Sequence, residues 1–426
     1  MANPVALLGQ TNFRHKKVRF GIKQADRLFH LLLVGKTGSG KSTIMAQMMR
    51  SDLKDGTGFA LLDAHGDLAE QVLGWVPEER IQDVVYINPT NPGFSPGINL
   101  LDGSRNHLAI SGFISIFQHM WPEFWGPRTE YLLRHALLLL AETFPGASLA
   151  DIPRVLTDFG FRGFLVNRLP SGDLRNFWEQ EFAQYSKTFR NEAVAPILNK
   201  IGAMVFNPLV RPILCKRQND LDFRELMDAG QMLIANLAKG MVGEDASSLL
   251  GSVLLSKLIL AGLSRSDVLE SERKFFAVYA DEAQQFLTES SLSLFSELRK
   301  YQVAGIWSTQ YLASLPEKVR QAILGNVGSL VSFTLSAEDA EVLAPEFAPE
   351  FSRQDLINLP AYQFCLKFKI DGVTTRPFSA ETVPGNLPGH GAAVKSNLRR
   401  FGEFAESGPA LPIQDTSDHG QQNCLL

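Results

Sequence analysis

Cysteine is scarce: Cys215, Cys365 and Cys424 lie far apart, and none sits in a CxxC pair or a Cys/His cluster. This argues against a disulfide framework and against a zinc site, and fits a reducing cytosol. A surplus of positive charge is missing as well. The 41 basic residues are outnumbered by 45 acidic ones, for a formal net charge of −4. A static nucleic-acid binder carries a strong basic excess, so a repressor-like protein is disfavoured. A motor that grips phosphates with a few residues lining a pore needs no such excess.

The first twenty residues, MANPVALLGQTNFRHKKVRF, lack an apolar core of signal-peptide length. The most apolar stretch, 247–264, has Lys257 near its middle and is interrupted by Gly251 and Gly262. It reads as a buried core helix, so no intrinsic membrane span is expected. No repeat of fixed period is visible, which removes solenoids from consideration. What remains is the composition of a soluble globular protein, 45% hydrophobic and 20% charged, long enough to bury a large core.

Short apolar runs bounded by turn residues alternate with longer helical patterns. This predicts a parallel sheet flanked by helices. Strands are expected at 31–34, 59–63, 84–88, 232–237, 275–280, 304–308 and 330–333, mostly as continuous apolar runs suited to burial on both faces. At 364–370, Phe364, Leu366 and Phe368 alternate with Cys365, Lys367 and Lys369, and Asp371-Gly372 follows. That pattern predicts an edge hairpin closing the sheet. From 106 to 228 the pattern is almost wholly helical, with Ser148 and Asp151 resembling a capping box and Asp173 able to cap the segment after it. The expected organisation is an arm at 1–18, a discontinuous α/β motor domain at 19–105 and 229–384, and an inserted all-α domain at 106–228. The polar stretch 385–426 is expected to be a loose tail.

The run Gly35-Lys36-Thr37-Gly38-Ser39-Gly40-Lys41-Ser42 satisfies GxxxxGK(S/T), after the strand HLLLV and before the helix STIMAQMMRSDL. Glycines let such a loop wrap a phosphate with its N–H groups pointing inward, and the helix N-terminus adds favourable dipole charge. Lys41 is assigned to the β- and γ-phosphates, Ser42 to Mg²⁺ and Thr43 to the α-phosphate. The bland alternative, a chance match, arises in about one chain in a hundred before the strand–loop–helix setting is required.

A P-loop needs an acidic residue at the end of a neighbouring strand. KFFAVYADE supplies Asp281 for the water shell of Mg²⁺ and Glu282 to orient or deprotonate the attacking water. Gln310 follows the apolar run AGIWST, which puts it at the sheet edge where ligands bind, as a sensor of γ-phosphate or water. Arg299 ends the helix before that strand. On residue type alone it is a solvated helix end, and a finger reaching into a neighbouring subunit is the alternative. Asp63 and Asp67, in LLDAHGDL, are as well explained by helix capping as by catalysis. His65 has no Ser or Cys partner that would make a triad. Lys187, Arg190, Arg211, Lys216 and Arg217 are basic residues of the helical segment, best explained as solvated surface.

Together these elements resemble the type IV secretion coupling ATPases, a branch of the FtsK–HerA motor superfamily. The matching stretches, in the family's order, are FGIKQADRLFH, GKTGSGKST, LLDAHGDLAE, VVYINPTNP, WGPRTEYLLRHALLLL, ANLAKGMVGEDASSLLGS, AVYADEAQQF, LRKYQVAGIWSTQ and GNVGSLVSFTLSAEDAEVLAPEF. They cover roughly 19 to 380. The resemblance implies a RecA-like domain with an all-α insertion, assembled as a hexameric ring that hydrolyses ATP with Mg²⁺ and pumps DNA through its channel. It assigns Lys41, Ser42, Asp281, Glu282 and Gln310 the roles above, and makes Arg299, eleven residues before Gln310, a finger acting in trans. It also implies secretion or conjugation proteins as partners, and a cytoplasmic protein recruited to the inner face of the membrane. Ala64 stands where the family's DPHGD form has proline. Neither the family's N-terminal membrane helices nor a HerA-type β-barrel has a counterpart, so a nearly bare motor is expected. The alternative from another class is an ATP-dependent adaptor that recruits protein substrates to a secretion apparatus.

Overall fold

The computed structural model describes residues 4–12, 16–101, 106–313, 315–383, 391–396, 398 and 401. The strands, in chain order, are β1 (Val5–Thr11), β2 (Arg19–Lys23), β3 (Leu31–Val34), β4 (Gly58–Asp63), β5 (Val84–Ile87), β6 (Met232–Asn236) and β7 (Phe276–Asp281). They continue with β8 (Val303–Thr309), β9 (Ser329–Ser332), β10 (Gln363–Lys367), β11 (Lys369–Ile370), β12 (Val373–Thr374) and β13 (Phe378–Glu381). Eleven of them form one sheet in the order β2-β1-β13-β10-β9-β3-β8-β7-β4-β6-β5.

From β9 to β5 every neighbouring pair is parallel, and from β9 outward to β2 every pair is antiparallel. The parallel strands are the continuous apolar runs, and in β3, β4, β7 and β8 every residue is buried. Strand alternation divides them between two cores. Leu32, Val34, Ala60 and Leu62 face one, whereas Leu31, Leu33, Phe59 and Leu61 face the other.

The first core runs without interruption from the sheet into the segment between β5 and β6, where every described element is helical. Helix Asn106–Met120 packs there against helix Glu244–Ser264. By length and composition this second helix could cross a membrane, yet 78% of its most apolar window is buried in the protein. Lys257, near its middle, donates from Nζ to the Asn99 carbonyl at 2.5 Å, which satisfies a cation that apolar packing would otherwise strand. A Cβ on Gly251 would lie 2.2 Å from Phe286 Cδ1, so that glycine is needed for the close approach of the chain after β7.

The antiparallel flank departs from expectation. β10 is an interior strand, between β9 and β13, with Phe364, Cys365 and Leu366 all buried. Its alternation distributes side chains between the two cores and does not mark a solvent face. The Asp371-Gly372 turn does form, with φ of 52° and 82°, but it joins the separate small hairpin β11–β12. The sheet is closed instead by β13, β1 and β2. β1 and β2 come from the N-terminal stretch, β1 falling wholly within the expected arm.

Ser148 and Asp151 form the capping box. Asp173 does not cap: Gly172 takes the N-cap position and Asp173 is the first helical residue. Of the expected C-terminal tail, residues 385–390, 397, 399–400 and 402–426 lie outside the described residues. Helix Gly391–Ser396 packs on helix Asp67–Leu73, where Lys395 pairs with Glu70 at 2.6 Å.

Candidate nucleotide site

The parallel strands all point the same way, so their C-terminal ends share one edge, and the loops leaving β3, β7 and β8 meet there. The loop after β3 turns into helix Lys41–Lys54. Gly38 and Gly40 have φ of 73° and 119°, values that favour glycine. Gly40 is the N-cap, so the first N–H groups of the helix open toward the loop. Gly35 answers to close approach: a Cβ there would meet Phe333 Cβ at 2.5 Å and Ser39 Oγ at 2.9 Å. The loop is tied down on both sides, by Gly35 N–H to Thr309 O at 3.2 Å and Lys36 N–H to Thr334 O at 3.0 Å. Lys36, Thr37 and Gly38 are exposed at its tip, and Thr43 lies half-buried in the first helical turn.

Lys41 is buried and donates from Nζ to the carbonyls of Gly35 (2.7 Å) and Lys36 (3.2 Å). Burial pushes the ammonium pKa down, and the charges of Glu282 and Asp281 pull it back up. Ser42 Oγ lies 3.2 Å from Asp281 Oδ2. Asp281 ends β7 fully buried, and its carboxyl is pushed above the ordinary range. Burial is the largest cause and repulsion from Asp63 and Glu282 adds to it, partly offset by the Ser308 hydroxyl and Lys41.

Glu282 follows in the left-handed region, at φ 53°, a conformation uncommon for a residue with a side chain. It is buried and held at both oxygens: Gln310 Nε2 donates to Oε1 at 2.6 Å, and Gln284 Nε2 to Oε2 at 2.5 Å. His65 Nε2 lies 3.5 Å from the same Oε1. The structure thus brings together Lys41, Ser42, Asp281, Glu282 and Gln310, from three loops of one chain.

The other sequence candidates fall into three groups with different surroundings. Asp63 is register-paired with Asp281, but its oxygens accept the main-chain N–H groups of His65 (2.9 Å) and Ala69 (2.8 Å). It therefore shapes the turn and caps the helix after it. Asp67 does not cap: Gly66, at φ 91°, is the N-cap. Arg299 lies at the opposite edge of the sheet, ahead of β8, exposed and stacked 3.7 Å from the centroid of Phe29. The seven residues of β8 separate it from Gln310, on the order of 20 Å. Of the basic residues in the helical segment, Lys216 pairs with Asp220, Arg217 pairs with Asp151, and Arg190 and Arg211 donate to carbonyls. Lys187 opens helix Lys187–Phe206 and is exposed.

Sequence reasoning missed three neighbours of the site. Gln284 was within reach, since it follows the acidic pair directly. His65 stands at the end of β4, and only the strand order brings it to Glu282. Tyr362 precedes β10; its main-chain N–H donates to Ser39 O at 2.8 Å, and no periodicity signals it.

A phosphate-wrapping loop, an acidic strand end and an amide on the next strand, joined at the C-terminal edge of a parallel sheet, define a RecA-like P-loop NTPase. Within that class, residues 15–114 match the family described as Helicase HerA, central domain. Solved structures extend the likeness over most of the chain. The plasmid coupling protein TrwB, in complex with the non-hydrolysable GTP analogue GDPNP, superposes with a TM-score of 0.66 at 17% identity, over 87% of this chain and 89% of that one. TrwB in complex with ADP and Mg²⁺ gives 0.65 at 16% identity, over 89% and 90%. VirB4 of Thermoanaerobacter pseudethanolicus gives 0.59 at 15% identity, over 90% and 98%. At these identities the likeness establishes the fold. No curated protein matches the chain.

Proposed function

We propose that the chain is an ATP-hydrolysing motor of the conjugative coupling-protein type, within the FtsK–HerA superfamily, working between subunits of a ring to move DNA. The observation that carries the ATPase reading is the meeting of Lys41, Ser42, Asp281, Glu282 and Gln310 at one sheet edge. The ring and the DNA are supported by the correspondence, along most of both chains, with a conjugative coupling protein. The helix Glu244–Ser264 is mostly buried in the core, and recruitment to a secretion apparatus by partner proteins is part of this proposal.

The residues divide the chemistry as follows. The N–H groups of residues 35–43 and the Lys41 ammonium bind the triphosphate, and Lys41 exchanges its two carbonyl partners for phosphate oxygens. Among the described residues no three of His, Cys, Asp or Glu are grouped to hold a metal alone. Ser42 and Asp281 offer two oxygens, which fits Mg²⁺ shared with phosphate and water. When bound, Mg²⁺ neutralises charge on the transferring phosphoryl group. Glu282 accepts the proton of the attacking water, and Gln310 holds that carboxylate in place until γ-phosphate draws the amide away. Arg299 belongs to the neighbouring subunit's site.

The test is ATP hydrolysis by the full chain with and without single- and double-stranded DNA, together with its mass in solution. DNA-stimulated turnover by an oligomer is expected. A monomer whose hydrolysis ignores every form of DNA overturns the motor reading. DNA-independent hydrolysis that recruits a protein substrate would favour the adaptor.

A further inference from the structure

Tyr362 is an aromatic residue held against the phosphate loop in a backbone conformation that bulky side chains avoid. Its φ is 65°. Two main-chain hydrogen bonds fix it there: its N–H to Ser39 O at 2.8 Å, and Thr382 N–H to its carbonyl at 2.9 Å. The ring lies along the loop, since a Cβ added to Gly40 would come 3.2 Å from Tyr362 Cδ1. Yet the residue is 54% exposed, so it gains little from burial and a large part of the ring is open. A strained backbone carrying an open aromatic ring beside a binding loop points to a ligand.

The sheet order says which part of the ligand meets it. β3, which leads into the loop, has β8 and β7 on one side and β9 and β10 on the other. Gln310, Asp281 and Glu282 come from the β8–β7 side, so the γ-phosphate end of the nucleotide lies there. An extended phosphate chain with its γ end there would carry its nucleoside end toward the β9–β10 side, where Tyr362 stands.

We propose that Tyr362 is the base-stacking residue of the nucleotide site, its open ring taking the face of a purine. The inference rests on the nucleotide-site reading above. A ring reads a π-face and not hydrogen-bonding edges, so Tyr362 favours purine over pyrimidine nucleotides without choosing between adenine and guanine.

The test is calorimetric binding of MgATP and of magnesium tripolyphosphate, which has no base, to the full chain. Tyr362→Ala should weaken MgATP binding about tenfold while leaving tripolyphosphate unchanged, and Tyr362→Phe should bind both like the wild type. The fluorescence of Tyr362→Trp should respond to ATP and to GTP but not to tripolyphosphate. Equal loss for ATP and tripolyphosphate would mean that Tyr362 only shapes the loop, and unchanged ATP binding would mean that the base lies elsewhere. Either overturns the inference and leaves the phosphate site standing. A wild-type protein that binds neither ligand removes the nucleotide-site reading, and this inference with it.

Discussion

The two ends of β8 carry groups with opposite relations to their own chain. At the C-terminal end, Gln310 closes on Glu282 inside a site built from three loops of the same chain. At the N-terminal end, Arg299 lies exposed on Phe29, across the sheet from those loops. Lys369 approaches the same ring from β11, with its ammonium 3.8 Å from the centroid. One end gathers Lys41, Ser42, Asp281, Glu282 and Gln310 at a single sheet edge. The other presents a cation with no such work to do within the chain. Under the proposed ring, a second subunit would bring its phosphate to the edge where Arg299 rests on Phe29.

The sharpest way to break this contrast is to disable each end separately. Lys41→Ala should reduce ATP hydrolysis to background, and Glu282→Gln should lower turnover about a thousandfold while MgATP still binds. Steady-state rates together with equilibrium binding check both. Residual turnover within tenfold of wild type in Glu282→Gln would remove the carboxylate from its role. Arg299→Ala should leave nucleotide affinity unchanged and cut turnover about a hundredfold or more, only in the assembled state. Mixing Arg299→Ala with Lys41→Ala subunits should restore part of the activity, because mixed interfaces pair an intact loop with an intact arginine. No recovery across all mixing ratios would mean that Arg299 does not act across an interface.

The ends also differ in their response to acid. At the N-terminal edge, His30 is buried, its Nδ1 accepts the Gly305 N–H at 3.0 Å, and its ring packs against Phe295. Burial pushes the imidazole pKa down from 6.5 to about 4, with the Arg299 charge adding to the shift and a hydrogen bond to the Phe295 main chain opposing it. As pH falls below 6.5 the unfolded chain takes up a proton that the folded chain refuses. Stability is therefore lost through that window, by about 3 kcal/mol in all. Urea unfolding between neutral pH and pH 4 measures it. His30→Asn keeps an acceptor for Gly305 and tolerates the residue's φ of 63°, so it should flatten that part of the profile. An unchanged slope in the variant would assign the acid sensitivity to other groups.

Much of this contrast was legible in the sequence, for physical reasons. Strands buried on both faces must be apolar throughout, so β3, β4, β7 and β8 stood out, and with them the edge where Lys41, Asp281 and Gln310 meet. Strands that extend the antiparallel flank carry a weaker signal. β1 mixes Gly9 and Gln10 into an apolar run, and β13 is the short FSAE, so neither announced itself. The alternation in β10 suggests an edge strand because it looks the same whether the second face meets water or another core. Contacts made only by strand order, His65 with Glu282 and Tyr362 with Ser39, have no local signature at all. The position of Arg299 at the far edge follows once strand directions are known. Its partner does not.

The smallest expected effect concerns what the C-terminal edge costs the fold. The Asp281 carboxyl is held above its ordinary range, first by burial and then by the neighbouring charges of Asp63 and Glu282. An acid whose pKa is raised on folding is protonated more readily in the folded chain than in the unfolded one. The ionised form is therefore a burden at neutral pH that fades as pH falls through the raised value toward the ordinary 3.8. Asp281→Asn removes the charge and keeps an oxygen near Ser42, so in the absence of nucleotide it should raise the melting midpoint by about 2 °C while hydrolysis is lost. The gain should shrink as the pH is lowered. No comparable gain is expected at the other edge from Arg299→Ala, where the guanidinium is exposed and rests on the Phe29 ring. A destabilised Asp281→Asn protein at neutral pH would mean that the carboxylate holds the loops together, and that the strain at this end of β8 is structural and not reserved for the phosphate and its metal.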